Sequence, residues 1–157
     1  MVFNEKMRDI LNCVDLDSVR PDNQYPIWVK KNVVGEPYYG VGHFWSMDKT
    51  PVEAGRDLVE LEWNGNDILL DRGVPVPELV ARGLAVLMGW KKQMETDYAG
   101  IPFDILLSVD WGCEEEGILP SVSMRFWAVR NGEHYIEPES VMKDDFWNAI
   151  LMEQVNV

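Results

Sequence analysis

The sequence predicts an α+β fold: a strongly twisted antiparallel sheet of about six or seven strands, packed against one buried central helix, with a helix toward each end of the chain. Three observations carry that expectation. Residues 103–111 and 121–128 alternate side-chain character with the period of two that a strand requires. From Pro77 the pattern switches to a helical period, and between Leu79 and Trp90 only Arg82 is charged, so most of the helix circumference is apolar, as in a largely buried helix. Glycine-bearing turns join neighbouring strands, which makes the pairing antiparallel and sets the helices apart from it.

Phe3, Met7, Ile10 and Leu11 stand at helical spacing and predict a short amphipathic helix over 3–13. In 25–34, Tyr25, Ile27, Val29, Lys31 and Val33 alternate with Pro26, Trp28, Lys30 and Asn32, the pattern of a half-buried strand. A turn at Gly35-Glu36-Pro37 leads into "YYGVGHFW", a second strand with glycine at a bend. In "LVELEWNGNDILLD", Val59, Leu61 and Trp63 oppose Glu60 and Glu62, and Asn64-Gly65 supplies a tight turn, which together predict a strand hairpin. Pro77 opens the central helix and Gly100 stops it. Two further strands follow, and Asn131-Gly132 turns the chain into a third at "EHYIEP". Met142, Phe146 and Ile150 then lie on one helical stripe and predict a C-terminal helix. The expected order is one helix, four strands, one helix, three strands and one helix, in two layers within a single domain of 157 residues.

Charge narrows the function. The formal net charge is −13, from 27 acids against 14 bases. The bias grows along the chain, with 7 acids to 6 bases in 1–50, 9 to 5 in 51–100, and 11 to 3 in 101–157. Lysine and arginine are scattered, and the pairs Lys30-Lys31 and Lys91-Lys92 are too small to form a basic patch. Such a surface repels nucleic-acid phosphates and anionic lipid, so neither direct nucleic-acid binding nor membrane association is expected, whereas a basic protein partner is. No stretch approaches the roughly 20 apolar residues of a membrane span, and the first residues lack the uninterrupted apolar run of a signal peptide; a soluble cytoplasmic protein is expected.

Cofactor and metal chemistry have little footing. Cys13, His43, Cys113 and His134 are all the cysteine and histidine the chain has, and their spacing fits no zinc pattern. The stretch "DWGCEEEGI" sets Asp110, Trp111, Cys113, Glu114, Glu115 and Glu116 in the loop between two strands. A Cys113 nucleophile would need a base such as His134, and the adjacent glutamates disfavour its thiolate. The four acids fit no calcium loop, since three consecutive glutamates cannot all face one ion. His43 falls in strand-like alternation and reads as a packed histidine; Glu60 and Glu62 share a strand face, either as an acid–base pair or as the wet side of a sheet.

The expectation is therefore an acidic binding protein that neutralises a basic partner. Small acidic α+β proteins without catalytic motifs resemble, in type, the immunity proteins of bacterial toxin systems, although no family motif carries the resemblance here. A nuclease toxin with a basic cleft is the partner that type implies. The contact set is Asp110, Trp111, Glu114, Glu115 and Glu116, with Asp144 and Asp145 as a second acidic cluster, and Trp28, Trp111 and Trp127 as outward aromatics that can anchor an interface. Alternatives are a small enzyme with a carboxylate or Cys/His site, a nucleic-acid mimic, and a general adaptor.

Overall fold

The structure is a computed structural model that describes residues 1–42, 57–70, 73–143 and 146–157. In chain order the elements are β1 (Val2–Phe3), α1 (Glu5–Leu11), a 3-10 turn (Leu16–Ser18), β2 (Ile27–Lys31), β3 (Pro37–Val41), α2 (Leu58–Gly65), β4 (Ile68–Leu69) and α3 (Val76–Asp97), then β5 (Phe103–Asp110), a second 3-10 turn (Glu114–Glu116), β6 (Ser121–Ala128), α4 (Pro138–Met142) and β7 (Ala149–Val155). The α+β class and the antiparallel pairing are as expected, but the main sheet has five strands, in the order β1-β7-β5-β6-β4, with β2 and β3 forming a separate pair.

Elements whose pattern was unambiguous form where the residues predict them. Asn4 caps α1, its side chain accepting from the Met7 N–H. α3 runs for 22 residues and buries Leu79, Val80, Leu84, Leu87, Trp90 and Met94. They pack on Phe103, Ile105, Leu107 and Val109 of β5 and on Val122, Met124 and Phe126 of β6. Gly83 permits that approach, because a Cβ there would lie 2.6 Å from Leu107 Cδ1. Strands β5 and β6 pair over their full length, from Phe103 opposite Ala128 to Asp110 opposite Ser121.

Three expectations are corrected. The hairpin in 57–70 is instead helix α2 followed by the two-residue strand β4. Asp57 caps that helix by accepting from the Val59 and Glu60 N–H groups. Its buried residues are Leu58, Val59, Leu61 and Glu62, a helical stripe that emerges only when Glu62 is counted as interior. The C-terminal helix is likewise replaced by the short α4 and by β7, which lies between β1 and β5. Six of the seven β7 residues are buried, so an apolar run that fits a helix stripe also fits a strand covered on both faces. Asn131 and Gly132 make the expected turn with positive φ, but the chain beyond them forms no third strand.

The sheet also has helices on both faces rather than one. Opposite α3 and α1, a second cluster joins Val59 of α2 and Val141 of α4 to Leu106, Trp127, Ile150 and Met152. This second cover is why Trp127, expected on an outer face, is fully buried. Trp28 is half-buried and packs edge-on against Tyr38. Gln93 of α3 satisfies the backbone of Ile27 from both sides, donating to its carbonyl and accepting from its N–H, which ties the small sheet to the central helix.

Candidate functional site

The turn joining β5 to β6 carries the acidic stretch and holds it rigidly. Asp110 Oδ1 accepts from the Gly112 N–H at 2.9 Å. Gly112 has φ of 71°, and a Cβ there would collide with the Ile118 carbonyl oxygen. Cys113 and Ile118 exchange two backbone hydrogen bonds of 2.9 Å. Between them Glu114–Glu116 form one 3-10 turn, closed by the Glu116 N–H to the Cys113 carbonyl and ended by Gly117 in the left-handed conformation. The backbone polar groups are thus largely satisfied within the loop, and the three glutamate side chains point to water.

Apolar side chains flank those acids. Trp111, Ile118 and Leu119 are 46%, 42% and 52% exposed. Trp111 walls a shallow groove with Ile10 and Cys13 from the α1 region and with Val76 and Pro77 at the start of α3; Lys6 and Asp9 complete it. The Lys6 ammonium also donates to the Phe146 carbonyl at 2.9 Å, and Trp147, next in sequence, is 92% exposed. Ala149, two residues further on, pairs with Val109 at the loop end of β5. The segment entering β7 therefore lies at the same end of the sheet as Trp111 and the glutamates. Asp144 and Asp145 lie outside the described residues, as do His43 and Trp45.

Besides buried Glu153, which takes Lys91 at 2.6 Å and the Met1 ammonium at 3.2 Å, two buried acids that the sequence pattern does not mark form ionic clusters. Glu62 is fully buried and receives a two-pronged contact from Arg130, Nη1 to Oε1 at 2.6 Å and Nη2 to Oε2 at 3.0 Å. The backbone N–H groups of Tyr39 and Ala128 donate to the same carboxylate. Burial pushes its carboxyl above the usual range, against the pull of Arg130 and those N–H groups. Glu60 is exposed on the same helix, so Glu60 and Glu62 are not an acid–base pair.

The second cluster lies at the opposite end of β5 from the acidic loop. His134 Nδ1 sits 2.6 Å from Oδ2 of the fully buried Asp104. Burial raises the Asp104 carboxyl, while His134, Trp127 and Gln154 act to lower it. Trp127 Nε1 and Asp104 Oδ1 are both buried, and among the described residues neither makes a hydrogen bond of standard geometry. Trp63 and Tyr135 stack nearby, centroids 4.1 Å apart, with Arg125 over the outer face of Trp63. Among the described residues no hydroxyl or thiol hydrogen-bonds the imidazole; its contact with Asp104 ties the chain at His134 to β5.

Cys113 and His134 do not come together. His134 is held at Asp104, near the start of β5, and Cys113 follows the far end of that strand, about 20 Å away at roughly 3.3 Å per residue. Among the described residues no three His, Cys, Asp or Glu side chains converge as a metal site requires. No described helix is long and apolar enough to cross a membrane.

No family model, characterised protein or solved structure matches this chain, so its geometry carries the functional argument.

Proposed function

We propose that this protein is an acidic binding protein that neutralises a basic protein partner, in the manner of an immunity protein acting on a bacterial toxin such as a nuclease. The observation that supports the reading is the 3-10 turn of Glu114–Glu116, held by hydrogen bonds within its own loop and bordered by exposed Trp111, Ile118 and Leu119. Pre-organised acids steer a basic surface into encounter and lose little entropy on docking; large apolar side chains beside them supply the desolvated anchor that acids lack. Trp147, at the same end of the sheet, extends the anchor, and Asp144 and Asp145, three and two residues before it in the sequence, complete the proposed contact set.

The test is a salt-stepped capture of partners from the protein's own lysate with tagged bait. A stoichiometric basic protein that elutes as salt rises, and whose activity the bait blocks, supports the reading. Association rates with the Glu114→Gln, Glu115→Gln, Glu116→Gln triple variant then locate the steering surface: an unchanged rate and salt slope would remove the loop from it.

A further inference from the structure

A second site lies between the two helices on the α3 face. Arg8 and Leu11 of α1 face Leu84, Leu87 and Met88 of α3 across a cavity of about 400 Å³, which Leu16 of the first 3-10 turn helps to close. That volume falls among small-molecule sites, roughly 300–1,000 Å³, and a gap between packed helices is one of their usual places. The floor is apolar and buried: Leu84 and Leu87 are 5% and 1% exposed. The rim is mostly apolar, with Leu16 54% and Met88 38% exposed beside the polar Asn12.

Two lining residues carry cations: Met1, whose ammonium lies 3.2 Å from Glu153 Oε2, and Arg8. Arg82, Arg125 and Arg130 each hold a carboxylate, and Arg20 donates to the Asp17 and Val19 carbonyls. Arg8, among the described residues, holds neither. Among the described residues nothing accepts a hydrogen bond from its guanidinium, whose carbon lies 6.0 Å from the centroid of the Phe3 ring, itself part of the cavity wall. An apolar slot with a donor fork left open at its edge is complementary to a molecule that is apolar for most of its length and anionic at one end.

We propose that this cavity binds a small amphipathic carboxylate, a single hydrocarbon tail resting on Leu84 and Leu87 with its head group on Arg8. This site is separate from the acidic loop, and its occupancy does not depend on a basic partner.

The experiment titrates the intact protein with decanoate, decanol and acetate below any micelle-forming concentration, at moderate salt to screen the net negative charge. Binding is followed by calorimetry and by the methyl NMR signals of Leu84, Leu87 and Met88. Decanoate is expected to bind one to one and move those signals while leaving Val141, across the sheet, unmoved. Decanol should bind roughly ten-fold more weakly, the scale of one charge-assisted hydrogen bond, and acetate should not bind. Arg8→Gln should bring decanoate down to the decanol level, and Arg8→Lys should restore part of the difference. Leu16→Glu, which sets a carboxylate at the mouth of the cavity from an exposed turn, should weaken decanoate further. Equal binding of decanoate and decanol, movement of other methyl groups instead, or an unaffected Arg8→Gln variant would each overturn the assignment. Failure to bind decanoate, together with self-association that Met88→Glu abolishes, would overturn it in favour of a second copy of the chain.

Discussion

Arg130 reaches back 68 residues to grip Glu62 on both carboxylate oxygens, and the same carboxylate accepts from the N–H groups of Tyr39 and Ala128. One buried acid on α2 therefore joins the small sheet, the end of β6 and the turn beyond it. Breaking the pair leaves a charge in a dry place. Arg130→Met is expected to cost about 3 kcal/mol, the lower end for such losses, because Arg130 keeps a quarter of its side chain in water. The double variant Glu62→Met, Arg130→Met should recover part of that loss. Denaturant unfolding of the two single variants and the double variant measures the coupling; a value near zero would show that the contact does not hold the two sheets together.

The Asp104–His134 pair makes stability depend on pH. Burial raises the Asp104 carboxyl in the folded protein, so the folded state holds that proton more tightly than the unfolded chain. Its contribution is then most favourable below the ordinary carboxylate range and declines as pH rises through the raised folded value. Asp104→Asn cannot titrate, so wild type should lose ground against the variant as pH rises above the ordinary carboxylate range, about pH 4. Thermal melts of both proteins from there upward decide it, and parallel curves would show that the shift is not present.

In the acidic loop, charge and backbone geometry separate cleanly. The glutamates are exposed, so replacing Glu114, Glu115 and Glu116 with glutamine should change stability by no more than about 0.5 kcal/mol. Gly117→Ala meets open space but keeps a positive φ, and is expected to cost about 1 kcal/mol. Gly112→Ala should cost distinctly more, because its Cβ would meet backbone at Ile118 and Leu119 as well. Denaturation midpoints for the three variants give the ranking. Equal losses at the two glycines would contradict the close packing of Gly112.

At Gly83 two effects compete. Alanine is the better helix former by about 1 kcal/mol, yet its Cβ must displace Leu107, Val122 and Met124, and overpacking costs about 1–3 kcal/mol. A net loss is expected for Gly83→Ala, and it should shrink in a Leu107→Val background. Unfolding free energies of the four proteins in that cycle check it; a stabilised Gly83→Ala would mean the helix lifts off the sheet at no expense.

Sequence alone determined the elements in which local pattern and burial agree. Helix α3, the β5–β6 hairpin and the Asn131-Gly132 turn were legible because their side chains repeat with a single period and their punctuation is glycine or proline. The acidic loop was legible for the same reason, since its exposure follows from three successive charges. Tertiary structure decided the rest. Residues 149–155 are a strand because neighbours on both sides and layers on both faces were available to cover them, and neither is encoded within the seven residues themselves. Residues 58–65 are a helix because Arg130, distant in sequence, makes Glu62 an interior residue and so converts an apparent period of two into one of 3.6. The buried acids Glu62 and Asp104 looked like solvent-facing positions for the same physical reason: a carboxylate is placed inside only by a partner that folding brings to it.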